Sequence, residues 1–234
     1  MQGFPSPSVA RFASQLHILH CCRSCTAHPK TLFDYSAQLY YDCNVMERKP
    51  FKSIAPCFLL ATPDLQDPNF WHTVVLLLHH SKEGALGLVI NRPSAININE
   101  LLSLLGHSDV DEAISSKPIL FGGPVGKSTG WVVFESDHDS EMAIKIEDGL
   151  YASGTLEVFN KVVKEVDPKR FLFFIGYSGW GPMQLDFELE AGAWMPAKLD
   201  RHIIFECPFD QRWNKAFLSL GIDPRMWVSK PGVG

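Results

Sequence analysis

Three features of the sequence predict a mixed α/β (α+β) fold. Short apolar runs bounded by Gly, Pro, Asn and Asp alternate along the chain with stretches whose apolar residues recur at helical spacing. The run at 171–175 is continuously apolar and has a helical pattern on each side, as a central strand covered on two faces should. Setting aside the unpatterned first 45 of 234 residues leaves 189, which suits one domain at the usual size of about 150. The expected architecture is a single compact domain over residues 50–228, a mixed β-sheet flanked by helices. A poorly ordered N-terminal extension at 1–49 precedes it and a short tail at 229–234 follows.

The elements follow in order. Runs at 58–61 and 73–78, separated by Thr62-Pro63-Asp64 and Asp67-Pro68-Asn69, predict two strands, and 86–90 a third. Beyond Pro93, Asn97 is placed to cap a helix with Glu100 three residues on, Leu101, Leu102, Leu104 and Leu105 forming its apolar face and Gly106 its end. Residues 119–121, 131–134 and 143–146 predict further strands. Thr155 precedes a helix at 157–166, where Leu156, Phe159, Val162 and Val163 fall on one face. After the 171–175 strand, residues 184–191 predict a helix closed at Gly192, 203–205 a strand, and 210–220 a helix closed at Gly221.

Composition narrows the function classes. The chain totals are 21 basic and 26 acidic side chains; the first 45 residues hold three and two of these, leaving 18 against 24, net −6, over residues 46–234. A surface of that sign repels phosphate backbones, and no basic run offsets it, so nucleic acid is not an expected partner. The longest aliphatic run, 74–78, is far shorter than the ~20 residues a membrane helix needs. No signal-peptide core is visible, and only Cys57 and Cys207 lie in the patterned region, so a soluble cytoplasmic protein is expected. In the first 45 residues, His17, His20, Cys21, Cys22, Cys25 and His28 crowd together. Cys22-x-x-Cys25 is half of a zinc spacing, yet the irregular histidines supply no second ligand pair, and no metal or cofactor is expected. That segment reads instead as an unstructured leader, a transit peptide, or sequence upstream of a start at Met46.

A set of motifs carries a family resemblance. Ile54-Ala55-Pro56, Asp67-Pro68-Asn69-Phe70, Gly84-Ala85-Leu86-Gly87-Leu88-Val89-Ile90-Asn91-Arg92-Pro93, Phe121-Gly122-Gly123-Pro124-Val125 and Gly176-Tyr177-Ser178-Gly179-Trp180-Gly181-Pro182, followed by Gln184-Leu185-Asp186 and Ala193-Trp194, occur in one order. Together they resemble the YqgE/AlgH family. The resemblance implies an α/β fold, a start near Met46 and an undefined molecular activity, with members sometimes labelled putative transcriptional regulators. Two positions depart from the family pattern: Met183 stands where glycine is usual, and Phe187 where an acidic or polar residue is common.

Several motifs invite chemistry. Gly122-Gly123-Pro124-Val125-Gly126-Lys127-Ser128 resembles a P-loop, but Phe121 occupies the first glycine position and a strand, not a helix, follows. A Gly-Gly-Pro turn joining two strands explains it. Residues 176–180 have the context of a nucleophile elbow, with Asp200 and His202 downstream and Asp186 as an alternative acid. Trp180 stands where the elbow needs a small residue, and the resemblance puts Ser178 at a variable position. A tight strand-to-helix turn is therefore the preferred reading, with a serine hydrolase using Ser178, His202 and Asp186 as the alternative. Arg92 is expected to pair internally with Asp186, Glu188 or a carbonyl of the 176–184 segment, beside a cleft. Asn91, Gly122, Gly123, Tyr177, Gly179, Trp180, Gln184 and Glu188 are the other candidates to line it. His72, His79 and His80 read as non-ligands, because adjacent strand residues face opposite ways, and the last two as exposed at a strand end. The function expected is noncatalytic binding or regulation, with a protein or small ligand as partner and the oligomeric state left open.

Overall fold

The computed structural model describes residues 51–96, 98–106 and 111–228. The histidine–cysteine cluster, the extension at 1–49, the tail at 229–234 and the Asn97 cap lie outside the described residues. Strands β1 (Cys57–Ala61), β2 (Val74–Ser81) and β3 (Gly84–Val89) come first, then helices α1 (Ile98–Leu104) and α2 (Glu112–Ser115). Strands β4 (Ile119–Phe121), β5 (Val125–Glu135), β6 (Ile144–Glu147) and β7 (Leu150–Ser153) lead to helix α3 (Leu156–Glu165) and strand β8 (Phe171–Trp180). Helix α4 (Gln184–Glu190), strand β9 (Trp194–Ala197), α5 (Arg201–Phe205) and α6 (Arg212–Ser219) complete the order.

The strands form one nine-stranded sheet in the order β6-β7-β5-β8-β3-β2-β1-β9, with β4 beside β8. The β4–β8 pair is parallel and the other pairings are antiparallel, so the sheet is mixed. β8 joins its two halves. Its first half pairs with β4 and β5, while Ser178, Gly179 and Trp180 pair with Gly87, Leu86 and Ala85 of β3. Alternate residues of a regular strand share a face, yet Leu172, Phe174 and Tyr177 all pack on the same core. The parity changes across Gly176, whose φ of +68° glycine tolerates.

Three cores follow from this sheet. Phe58, Leu60, Leu76, Leu88 and Phe174 bury one face against Ile203 and Ile204 of α5 and Trp213 and Phe217 of α6. On the other face, α1, α2 and α3 cover Phe171 and Phe173, and α4 covers Leu59, Val75, Leu77 and Val89 through Leu185. Each fully buried aliphatic or aromatic side chain contributes about 1.5–3 kcal/mol.

The structure corrects several expectations. Residues 203–205 belong to helix α5, because Asp200 caps it, its Oδ1 accepting from the His202 amide at 2.9 Å. Residues 176–180 are no turn but the end of β8. Strands β7 and β9 and the short α2 carried too few periodic residues to be legible. The Gly122-Gly123-Pro124 turn does join β4 to β5, and Thr155 does cap α3, accepting from Val158 N at 3.4 Å. Among the described residues no helix is long and apolar enough to cross a membrane.

Candidate functional site

Asn91 and Arg92, where β3 ends, both grip the loop that joins β1 to β2. Asn91 Oδ1 accepts from Val74 N at 2.9 Å, and its Nδ2 donates to the His72 carbonyl at 2.9 Å. Half-buried Arg92 donates from Nη1 to the carbonyls of Pro68 and Asn69, at 2.9 and 2.7 Å, and from Nη2 to that of Trp71 at 2.9 Å. Burial lowers its pKa, and the nearby Asp67 carboxylate works the other way. The loop also ties itself down: Asp67 Oδ1 accepts from Asn69 N at 2.7 Å, and Thr73 Oγ1 donates to the Phe70 carbonyl at 2.7 Å. Arg92 is thus paired internally, as expected, but with the 67–73 loop rather than Asp186, Glu188 or the 176–184 segment. A guanidinium can bridge several carbonyls as readily as one carboxylate.

Glu188 approaches the same loop indirectly. Its Oε2 accepts from the indole N–H of Trp180 at 2.9 Å and of Trp194 at 2.7 Å, while Oε1 accepts from Gln184 Nε2 at 2.9 Å. Gln184 Oε1 in turn accepts from Gly181 N at 3.0 Å. The two indoles so fixed hold the ring of Phe70, whose centroid lies 6.0 Å from Trp180 and 5.3 Å from Trp194. Arg92 and Glu188 therefore act on one loop, the first through its carbonyls and the second through its inward-facing aromatic ring.

What the loop presents outward is a ring stack. His72 has φ +54°, a left-handed conformation costly for a residue with a Cβ. Its imidazole lies between Trp71, at 4.0 Å and 18° between ring planes, and Trp213 of α6, at 4.1 Å and 20°. Trp213 is anchored beneath by its indole N–H on the Ala61 carbonyl at 2.9 Å, whereas Trp71 is 55% exposed. Burial lowers the His72 pKa, favouring the neutral ring. Beside the stack runs a groove of about 360 Å³, lined by His72, Asn91, Asp210, Trp213, Asn214 and Arg225. Of these only Asn91 was singled out from the sequence as a cleft residue. A Phe-Trp-His run directly after the turn-forming Asp67-Pro68-Asn69 was the available signal.

The remaining candidates do not join this groove. Gly122 and Gly123 press backbone to backbone on β8: Gly122 N donates to Ile175 O at 2.8 Å, and a Cβ at Gly123 would collide with the backbone of Tyr177 and Ser178. Tyr177 lies edge-on to Trp131 at 6.4 Å, and Gly179 sits under the Tyr177 ring. Ser178 is fully buried within β8 and donates to the Gly122 carbonyl at 3.0 Å. His202 bonds Glu206 at 2.9 Å on its own helix, and Asp186 meets His80 at 3.3 Å. Ser178, His202 and Asp186 each have a different partner and form no triad, which removes the hydrolase arrangement. His80 also corrects its expectation. It is buried, its Nδ1 accepting from Ile54 N at 3.3 Å and leaving Nε2–H for Asp186, whereas His79 is exposed on the other face.

Sheet and loop together describe an α/β protein in which partly buried polar groups converge on one strained surface loop beside a groove. The chain belongs to the AlgH-like family (DUF179), whose model matches residues 58–225. It is 37% identical over 177 residues to a UPF0301 protein of Anaeromyxobacter dehalogenans, covering 73% of this chain and 90% of that protein. A UPF0301 protein of Ruegeria pomeroyi is 33% identical over 175 residues, covering 74% and 95%. The solution structure of AlgH from Pseudomonas aeruginosa is similar at a TM-score of 0.61 and 32% identity, covering 79% of this chain and 100% of that one. A crystal structure from Corynebacterium diphtheriae, at a TM-score of 0.58, 19% identity and coverage of 75% and 91%, shares the fold.

Proposed function

We propose that the chain is a noncatalytic binding or regulatory protein of the cytoplasm, and that it recognises its partner through the 67–73 loop and the adjoining groove. The observation that carries this reading is His72. A non-glycine residue keeps a left-handed backbone only where its surroundings over-determine it, and such strain gathers at functional sites. Here the Asn91 and Arg92 hydrogen bonds and two flanking indoles supply that determination, and they do so beside an open groove. A preorganised loop presenting an exposed tryptophan lowers the ordering cost of binding. Regulation through a small ligand or another protein fits this surface. The negative charge of residues 46–234 argues against direct contact with DNA, whatever the regulator label given to some family members.

A fragment screen followed by the ¹⁵N-indole resonances tests the reading. Hits should cluster on Trp71 and Trp213; hits confined to other surfaces would overturn it. A fluorophosphonate probe should leave Ser178 unmodified, and stoichiometric labelling abolished by Ser178→Ala would refute the noncatalytic part.

A further inference from the structure

The walls of the groove carry an uncompensated acceptor set. Arg225, the cation on its rim, is bound by its neighbour Asp223, Nη2 to Oδ2 at 2.7 Å and Nε to Oδ1 at 3.0 Å. That pairing leaves the groove without a free cation of its own among the described residues. Asp210, by contrast, makes no ion pair and no side-chain hydrogen bond among the described residues, and the amide of Asn214 is likewise unengaged. Both residues are exposed, Asp210 in the turn before α6 and Asn214 in its first turn, and both line the groove. The imidazole of His72, whose neutral form offers a lone pair, lines the same groove, stacked on the Trp213 ring.

Resting on the binding role proposed for this groove, we infer that its ligand is a small organic cation, an ammonium or guanidinium compound. Its N–H groups donate to the Asp210 carboxylate, to Asn214 Oδ1 and to a His72 ring nitrogen, while its apolar part lies along the edges of the stacked His72 and Trp213 rings. An anion is disfavoured, because the one guanidinium lining the groove already serves Asp223 and the carboxylate of Asp210 repels it. A neutral apolar ligand would leave that carboxylate desolvated without a partner. The volume, about 360 Å³, is at the small end of ligand sites and suits a molecule the size of a free amine rather than a folded partner. The net negative charge of residues 46–234 raises the local concentration of cations.

The test titrates the full chain with agmatine and putrescine, and with succinate and 1,4-butanediol as an anion and a neutral diol of similar length, following the indole resonances of Trp71 and Trp213. Saturable shifts with the two cations are expected, weakened roughly tenfold or more in Asp210→Asn, the loss of one charge-assisted contact. Asp210 is exposed, so the variant is expected to keep its melting temperature; Asn214→Leu provides a second variant with the same expected direction. Cation binding unchanged in both variants would overturn the inference. Binding of succinate or the diol at the same indoles, with none of the cations, would also overturn it while leaving the groove's binding role intact. No shift at these indoles with any compound, here or in the fragment screen, would sink both.

Discussion

At Arg92 a charged donor meets three carbonyl oxygens and no carboxylate, so its removal would leave acceptors rather than a buried counter-charge. Arg92→Leu should destabilise by about 2–3 kcal/mol, measured by denaturant unfolding, and should broaden the Trp71 indole resonance as the loop loosens. No change in either would mean that the loop's own hydrogen bonds suffice. Cys57 makes a sharper case for pH. Burial pushes its thiol from 9.0 up to about 12. The folded state therefore holds the proton through a window in which the unfolded chain has lost it, and the thiol's contribution, complete below pH 9, declines as pH rises towards 12. In a variant retaining Cys57 and Cys207 as its only cysteines, Cys57 should resist Ellman's reagent at about pH 8 until denaturant is added. Prompt labelling in the native state would contradict its burial.

Elements here depend on single backbone positions. Gly123, with φ +148°, allows the turn into β5 to lie flat on Tyr177 and Ser178 of β8. Gly123→Ala should cost about 3 kcal/mol or more, because the colliding atoms are backbone and cannot rotate away. Met183 presents the opposite case. It precedes α4 with φ +59° and is 39% exposed, so its side chain adds strain and little packing. A left-handed L-residue costs about 1–2 kcal/mol, and the flexibility that glycine gives the unfolded chain offsets about 0.5–1. Met183→Gly should therefore stabilise by about 0.5 kcal/mol, and a measured loss would show that the Met183 side chain makes contacts worth more than its strain.

In the molecule as a whole, β8 belongs to both halves of the sheet, and the Gly122 turn bonds both: Gly122 N to Ile175 O, and Val89 N to Gly122 O at 2.9 Å. The halves should therefore unfold together. With fluorine-labelled tryptophans, Trp131 in β5 and Trp194 in β9 report on opposite halves and should give coincident melting curves. Separated midpoints would show that the change of parity at Gly176 divides the sheet into independent units.

The mixed α/β class, the family, most strands and the longer helices were legible in the residues alone, because period and turn residues are local properties. The same local signals misread 203–205 as a strand, since a short apolar run has no period, and 176–180 as a turn, since glycine marks close approach as well as reversal. Which groups meet was settled only by folding. Arg92 reaches carbonyls more than twenty residues earlier, and the groove assembles His72, Asn91 and Asp210 from separate segments. Hydrogen bonds to backbone carbonyls carry no sequence signature, because every residue supplies the same acceptor. The partner of a half-buried cation is legible in advance when it is a carboxylate, and here it was the chain's own backbone.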